Sequence, residues 1–159
     1  MAVREQVYGF FIPTVTLMGI GAYKEIGNQI KTLGGKKPFI CTDKGVLDAG
    51  IVDQVLEVIK QDAGVDSVVY SGTQPNPTDN NVHEGLKLYQ DKGCDLIISL
   101  GGGSAHDCGN GIGIVATNGG NIRDYEGVDK STKNMPPFIA ANTTAGPATA
   151  PTRSSPSAP

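Results

Sequence analysis

The sequence predicts an α/β fold, an open doubly wound parallel sheet of Rossmann-like type, and three observations carry that expectation. Short strand-like runs alternate at least four times with segments of helical periodicity. One run, Asp95 to Leu100, is apolar through its centre, as strands covered on both faces are. Glycines, hydroxyls and carboxylates gather where these runs end, the edge at which open parallel sheets hold ligands. Right-handed crossovers between parallel strands then place helices on both faces of the sheet.

The elements follow in order. Tyr8-Gly-Phe-Phe-Ile-Pro and Val15-Thr-Leu-Met-Gly read as two extended pieces joined by a Pro-containing turn, an amino-terminal edge hairpin. From Gly21 the period changes: Ala22, Ile26, Ile30 and Leu33 share one helical face that stops at Gly34-Gly35. Pro38 to Thr42 is a short strand ending in Asp43, and Val52, Val55, Leu56 and Ile59 mark the stripe of the next helix. Val65 to Tyr70 is strand-like, and Ser71-Gly-Thr-Gln-Pro-Asn-Pro leads to Thr78, an N-cap, and a helix facing inward with Val82, Leu86 and Tyr89. Asp95 to Leu100 precedes Gly101-Gly-Gly-Ser and a helix from Ala105 to Ala116. A last strand runs from Phe138 to Ala141. Residues 1–146 thus form one domain. Residues 147–159, in which Pro recurs among Ala, Ser and Thr without periodicity, read as a poorly ordered tail.

Composition narrows the partners. A length of 159 residues suits one core, and the 22 glycines and 10 prolines make loops prominent. A net charge of −3 with both signs interspersed offers no basic stripe for nucleic acid and no polybasic segment for a membrane surface. The apolar stretch Tyr8 to Val15 is interrupted by Gly9, Pro13 and Thr14, so it reads as neither signal peptide nor membrane span, and a cytoplasmic protein is expected. Cys41, Cys94 and Cys108 are odd in number and far apart, which argues for reduced, mostly buried thiols.

Four loops at one edge of the expected sheet carry the chemistry, beginning at Thr42-Asp43, Ser71-Gly72, Gly101-Gly102-Gly103-Ser104 and Asn142-Thr143-Thr144-Ala145-Gly146. The glycine loop is the most telling. Glycine lets the backbone approach an anion, and the unpaired amides of a first helical turn attract negative charge, so a diphosphate is the natural guest. Ser104 and Asp107 have the spacing of a capping box, with Ser104 accepting from the Asp107 amide; the alternative for Asp107 is contact with a ribose, nicotinamide or substrate. Gly109, Gly111 and Gly113 weaken the same helix, and their compensation is close approach to the sheet or a cofactor. Gly19-Ile-Gly21 and Gly109-Asn-Gly111-Ile-Gly113 resemble fragments of the dinucleotide fingerprint, but neither completes it. Asp43 is either a turn former or an acceptor for adenosine ribose hydroxyls. His83 reads as a surface residue, and His106 as a solvated residue or a ligand contact. No cluster has metal-site spacing, and no catalytic or metal-ligating residue is expected in this chain.

Thr42-Asp-Lys-Gly45, Gln74-Pro-Asn-Pro-Thr78, Gly101-Gly-Gly-Ser-Ala-His-Asp107 and Asn142-Thr-Thr-Ala-Gly146 follow one another in this order. In that pattern the chain resembles the amino-terminal domain of the iron-containing (group III) alcohol dehydrogenases, close to those acting on short primary alcohols and 1,3-propanediol. The resemblance runs to about Gly146 and covers less than half of a full-length member. It implies NAD as cofactor, with Gly102, Gly103 and Ser104 on the diphosphate beside Gly101. Asp43 and Asn76 would take the adenosine side, and Thr143 and Thr144 the region of the nicotinamide ribose. In the family a helical carboxyl-terminal domain supplies one Asp and three His to Fe²⁺ or a related divalent ion, and no residue here corresponds to any of the four. The full-length form would pass hydride between a primary alcohol, giving the aldehyde, and NAD, as a homo-oligomer. This chain alone would bind NAD weakly and turn nothing over. Asn110 stands where the family usually has Lys, and Pro147-Ala-Thr-Ala150 where it has Thr-x-Ser-Glu. Rival readings are a stand-alone nucleotide-binding module and an enzyme resembling glycerol dehydrogenase or dehydroquinate synthase.

Overall fold

The computed structural model describes residues 15–126 and 130–143. Four strands, β1 (Pro38–Asp43), β2 (Val68–Thr73), β3 (Leu96–Gly101) and β4 (Phe138–Asn142), form one sheet in the order β2-β1-β3-β4, and every neighbouring pair is parallel. The helices are α1 (Ile26–Leu33), α2 (Lys44–Asp48), α3 (Ile51–Val58), α4 (Asp79–Asp91) and α5 (Gly103–Asn118). A 3₁₀ turn precedes α1, a π-helical turn (Ile59–Ala63) extends α3, and a second 3₁₀ turn (Ile122–Tyr125) follows α5.

The strand order explains why the sheet has two cores. The chain leaves β1 toward β2 on one side, then returns past β1 to β3 and β4 on the other, so right-handed crossovers put α3 on one face and α4 and α5 on the opposite face. Side chains along each strand divide accordingly. Ile40, Leu96, Ile98 and Leu100 pack with Ile30 of α1 and Val52 and Val55 of α3. Phe39, Cys41 and Ile97 pack with Val82 and Tyr89 of α4 and Cys108, Ile112 and Val115 of α5. This period of two, with both faces apolar, is the reason β1 and β3 read as unbroken hydrophobic runs.

Glycine sets the helix spacing at specific points. A side chain on Gly27 would begin 2.5 Å from Cβ of Asp62 and 3.2 Å from the Val58 carbonyl oxygen, so α1 approaches the end of α3 more closely than any other residue permits. Gly109 brings α5 onto the sheet, where a Cβ would meet Ser99 and Phe138 at 3.2–3.3 Å. Gly109, Gly111 and Gly113 of α5 are therefore compensated by close packing on β3, β4, α4 and Met135.

β1, β3 and β4 lie within one residue of the sequence reading, and larger differences occur at β2, α5 and the amino-terminal segment. β2 occupies Val68–Thr73 instead of Val65 to Tyr70, because Gly64 in a left-handed conformation ends the π-helical turn and pairing with β1 begins only at Val68. α5 starts two residues earlier than expected and ends two later, capped by the extended backbone of Gly102. The edge hairpin is corrected: Val15–Gly19, its second arm, forms no strand, and both side-chain faces of that segment are exposed, so no sheet face holds it there. Its first arm at Tyr8–Pro13 lies outside the described residues, as do Thr144 and the tail from Pro147. All three cysteines are free and buried, and among the described residues no helix is long and apolar enough to cross a membrane.

Candidate functional site

The point where strand order reverses lies between β1 and β3, and the loops leaving their carboxyl ends diverge around a crevice. Thr42 ties the two strands together there, its hydroxyl donating to the Leu100 carbonyl at 2.7 Å in the buried interior. Gly101 ends β3 with φ +151°, and a side chain on it would begin 2.9 Å from Cβ of Ala105 and 3.3 Å from Oδ2 of Asp43. Only glycine satisfies both demands. Gly102 is the N-cap of α5, and the first amide to bond within the helix is that of His106, donating to Gly102 at 3.2 Å. The amides of Gly103, Ser104 and Ala105 precede that bond, and among the described residues no side chain caps them.

This geometry corrects the expected capping box. Ser104 stands inside the first turn and makes no cap bond, because the bend at Gly101 starts the helix two residues earlier and moves the cap to Gly102, a residue without a side chain. Asp107 is exposed on α5 and does not line the crevice.

Across the crevice, Asp43 caps α2: Oδ1 accepts from the Val46 amide at 2.9 Å. Its second oxygen faces Gly101. Turn former and ligand acceptor are thus compatible roles, one for each oxygen. The crevice is an open cleft of about 360 Å³ lined by Asp43, Lys44, Gly45, Thr73, Gln74, Pro75 and Ser104. Of the residues singled out from the sequence, Asp43 and Ser104 meet in this cleft, with Gly101 directly behind Asp43. Asn76 sits at the exposed tip of the next loop with φ +54°, a left-handed conformation that Asn tolerates better than most residues. The loop is braced at its far end, where Thr78 and Asn81 form a capping box and the Asn81 amide donates to Gly72 at 3.0 Å.

On the other flank, Asn142 ends β4 opposite Gly101, and the Thr143 amide donates to the Gly101 carbonyl at 3.0 Å. Thr143 is exposed beside the glycine loop. His106 is not solvated: it is only 7% exposed, with Nδ1 2.7 Å from the Ser99 hydroxyl and Nε2 2.9 Å from Oδ1 of Asn142. Because an amide oxygen only accepts, Nε2 carries a proton, and in the neutral ring Nδ1 accepts from Ser99. In the core beneath the sheet's α4/α5 face, hydrogen bonding to Cys108 and burial hold the Cys41 thiol well above its ordinary value, so it stays protonated.

Lys44, Thr73 and Gln74 were quoted within motifs or loops in the sequence reading but given no site role. Lys44 follows Asp43 directly and places a cation in the cleft, a signal that was available; Thr73 and Gln74 stood in a loop that the sequence placed at the ligand edge but carried no individual signal. Among the described residues, no three His, Cys, Asp or Glu side chains come together as a metal site would require.

Residues 13–156 match the family of iron-containing alcohol dehydrogenases. The chain belongs to that family. The match to the iron-containing alcohol dehydrogenases continues past Gly146, where the motif-by-motif resemblance stopped. Alcohol dehydrogenase 4 of Schizosaccharomyces pombe is 48% identical over 147 residues, covering 92% of this chain and 35% of that protein. The crystal structure of a 1,3-propanediol oxidoreductase superposes with a TM-score of 0.84 at 41% identity, covering 89% of this chain and 37% of that one. Sulfoacetaldehyde reductase from Bifidobacterium kashiwanohense, solved in complex with NAD⁺, superposes with a TM-score of 0.76 at 26% identity, again over 89% and 37%. The chain thus spans little more than a third of the length of these relatives.

Proposed function

We propose that this chain is the NAD-binding part of an alcohol dehydrogenase of the iron-containing family, one that in full-length form passes hydride between a primary alcohol and NAD. The observation that carries the reading is the first turn of α5, whose amides at Gly103, Ser104 and Ala105 have no side-chain cap among the described residues and whose Ser104 lines the cleft at the sheet's switch point. These amides and the positive end of the 16-residue α5 favour a diphosphate there. The free oxygen of Asp43 would accept from the adenosine ribose hydroxyls, with Asn76 further along the same side. A 2′-phosphate would meet that carboxylate and be repelled, which favours NAD over its phosphorylated form.

With adenosine over β1 and β2 and the diphosphate over β3, a dinucleotide has its remaining half to place over β4, where Thr143 and Thr144 follow the strand. Gly101 and Asp107 complete the proposed contact set, Gly101 by admitting the close approach and Asp107 from the exposed face of α5. Bound NAD supplies a hydride acceptor at its nicotinamide ring; the residues here bind and orient it. The described residues do not fit a divalent metal, so no step is assigned to one in this chain. The alcohol, the metal and self-association belong to the full-length form in this reading. Three buried thiols suit a reducing compartment such as the cytoplasm.

Calorimetry with NAD⁺, ADP-ribose and ATP tests the proposal. Binding of NAD⁺ and ADP-ribose is expected; binding of ATP alone would overturn the dinucleotide reading.

A further inference from the structure

We propose that His106 is a positioning residue for the nicotinamide half of the dinucleotide, acting through Asn142. The inference rests on the NAD-binding reading and goes beyond it by assigning a role to a side chain that itself lies away from the cleft.

His106 links three elements. Its backbone amide closes the first turn of α5 onto Gly102, its Nδ1 meets Ser99 in the middle of β3, and its Nε2 donates to Asn142 at the end of β4. Asn142 is otherwise the exposed last residue of a strand whose one neighbour among the described residues is β3. A strand end of that kind frays unless something holds it. Here two bonds hold it to the glycine loop: the Thr143 amide on the Gly101 carbonyl, and the Asn142 side chain on His106. The loop that would grip the diphosphate and the strand exit that would carry Thr143 to the nicotinamide ribose therefore keep one relative position.

The burial argument points the same way. Ser99 is fully buried and His106 nearly so, in a layer where Phe39, Ile97 and Ile112 make apolar contacts. Burying a hydroxyl and an imidazole costs free energy that only complete hydrogen bonding offsets, and an apolar pair would pack α5 on the sheet without that demand. What an apolar pair could not do is reach the strand exit with a directional bond.

The two ring nitrogens can be tested separately. In His106→Asn the side chain reaches Ser99 but not Asn142; in His106→Gln the amide takes the place of Nε2 and keeps the donor to Asn142. Calorimetry on the 159-residue chain should show His106→Asn weakening NAD⁺ binding by about tenfold while ADP, which lacks both the nicotinamide and its ribose, binds as before. His106→Gln should restore NAD⁺ binding to within about twofold. Asn142→Ala, at an exposed strand end, removes the same bond without touching the core and should copy His106→Asn even if the latter folds poorly. Equal losses for both ligands, no loss for either, or no rescue by His106→Gln would overturn the positioning role while leaving the NAD-binding reading intact. Failure of the unaltered chain to bind either ligand would overturn both.

Discussion

The second carboxylate oxygen of Asp43 lies 3.3 Å from the point where a side chain on Gly101 would begin. Two loops from the central strands meet there with no room for another carbon. Gly101→Ala therefore forces Asp43 or Ala105 to move and places a non-glycine residue at φ +151°. The expected result is a loss of about 1–3 kcal/mol of stability, with the strained backbone as the main cause. Thermal or urea unfolding measures it, and an unchanged midpoint would contradict the geometry.

Asp43 has two roles that two substitutions separate. Asp43→Asn retains an acceptor for the Val46 amide, so stability should hold, while NAD⁺ binding weakens and preference for it over its 2′-phosphorylated form shrinks. Asp43→Ala should lose the cap as well, about 1 kcal/mol. Equal stability of the two variants would show that the cap at α2 contributes nothing.

At Ser104 stability and binding should move in opposite directions. A carboxylate in the first turn of α5 interacts well with the helix's positive end, so Ser104→Asp is expected to gain about 0.5 kcal/mol. The same charge repels a diphosphate and should weaken NAD⁺ binding by about tenfold, the factor that 1.4 kcal/mol of repulsion supplies. A variant that is more stable and binds NAD⁺ as well as the parent would place the diphosphate elsewhere.

Alkaline pH should unfold the protein through two tyrosines. Burial pushes Tyr89 up to about 12 and Tyr70 higher still, whereas in the unfolded chain both ionise near the ordinary tyrosine value of about 10. The folded state thus prefers the protonated phenols. Their contribution is complete below that unfolded value and falls as pH rises from there through the folded values. Tyrosinate absorbance followed alongside circular dichroism should show these two groups ionising together with loss of structure. Their ionisation in an intact fold would contradict the burial of the Phe39, Tyr70 and Tyr89 cluster.

Much of this architecture was legible in the residues. The period of two in Phe39-Ile-Cys and Leu96 to Leu100, and the helical spacing of Val52, Val55 and Ile59, reflect local rules that tertiary context here reinforces. The glycine loop stood out because three consecutive glycines have few purposes. Strand ends were harder, since Val65 and Val69 have equal β propensity and only pairing with β1 selects where β2 begins. The capping box failed for a related reason: Ser104 and Asp107 have the right spacing, but the bend that starts α5 is set by contact between Gly101 and Asp43 from another strand. His106 was illegible altogether. Its partners lie 7 and 36 residues away and become neighbours only when β3, β4 and α5 assemble.

The central claim concerns specific backbone amides, and a chain of 16.5 kDa permits their direct observation by nuclear magnetic resonance. Titrating NAD⁺ into ¹⁵N-labelled protein should shift the amide signals of Gly103, Ser104 and Ala105 most strongly, with inorganic diphosphate shifting the same signals and Asp43 responding to NAD⁺ alone. Saturating NAD⁺ that leaves those three amides unmoved, or moves only signals remote from the cleft, would contradict the account.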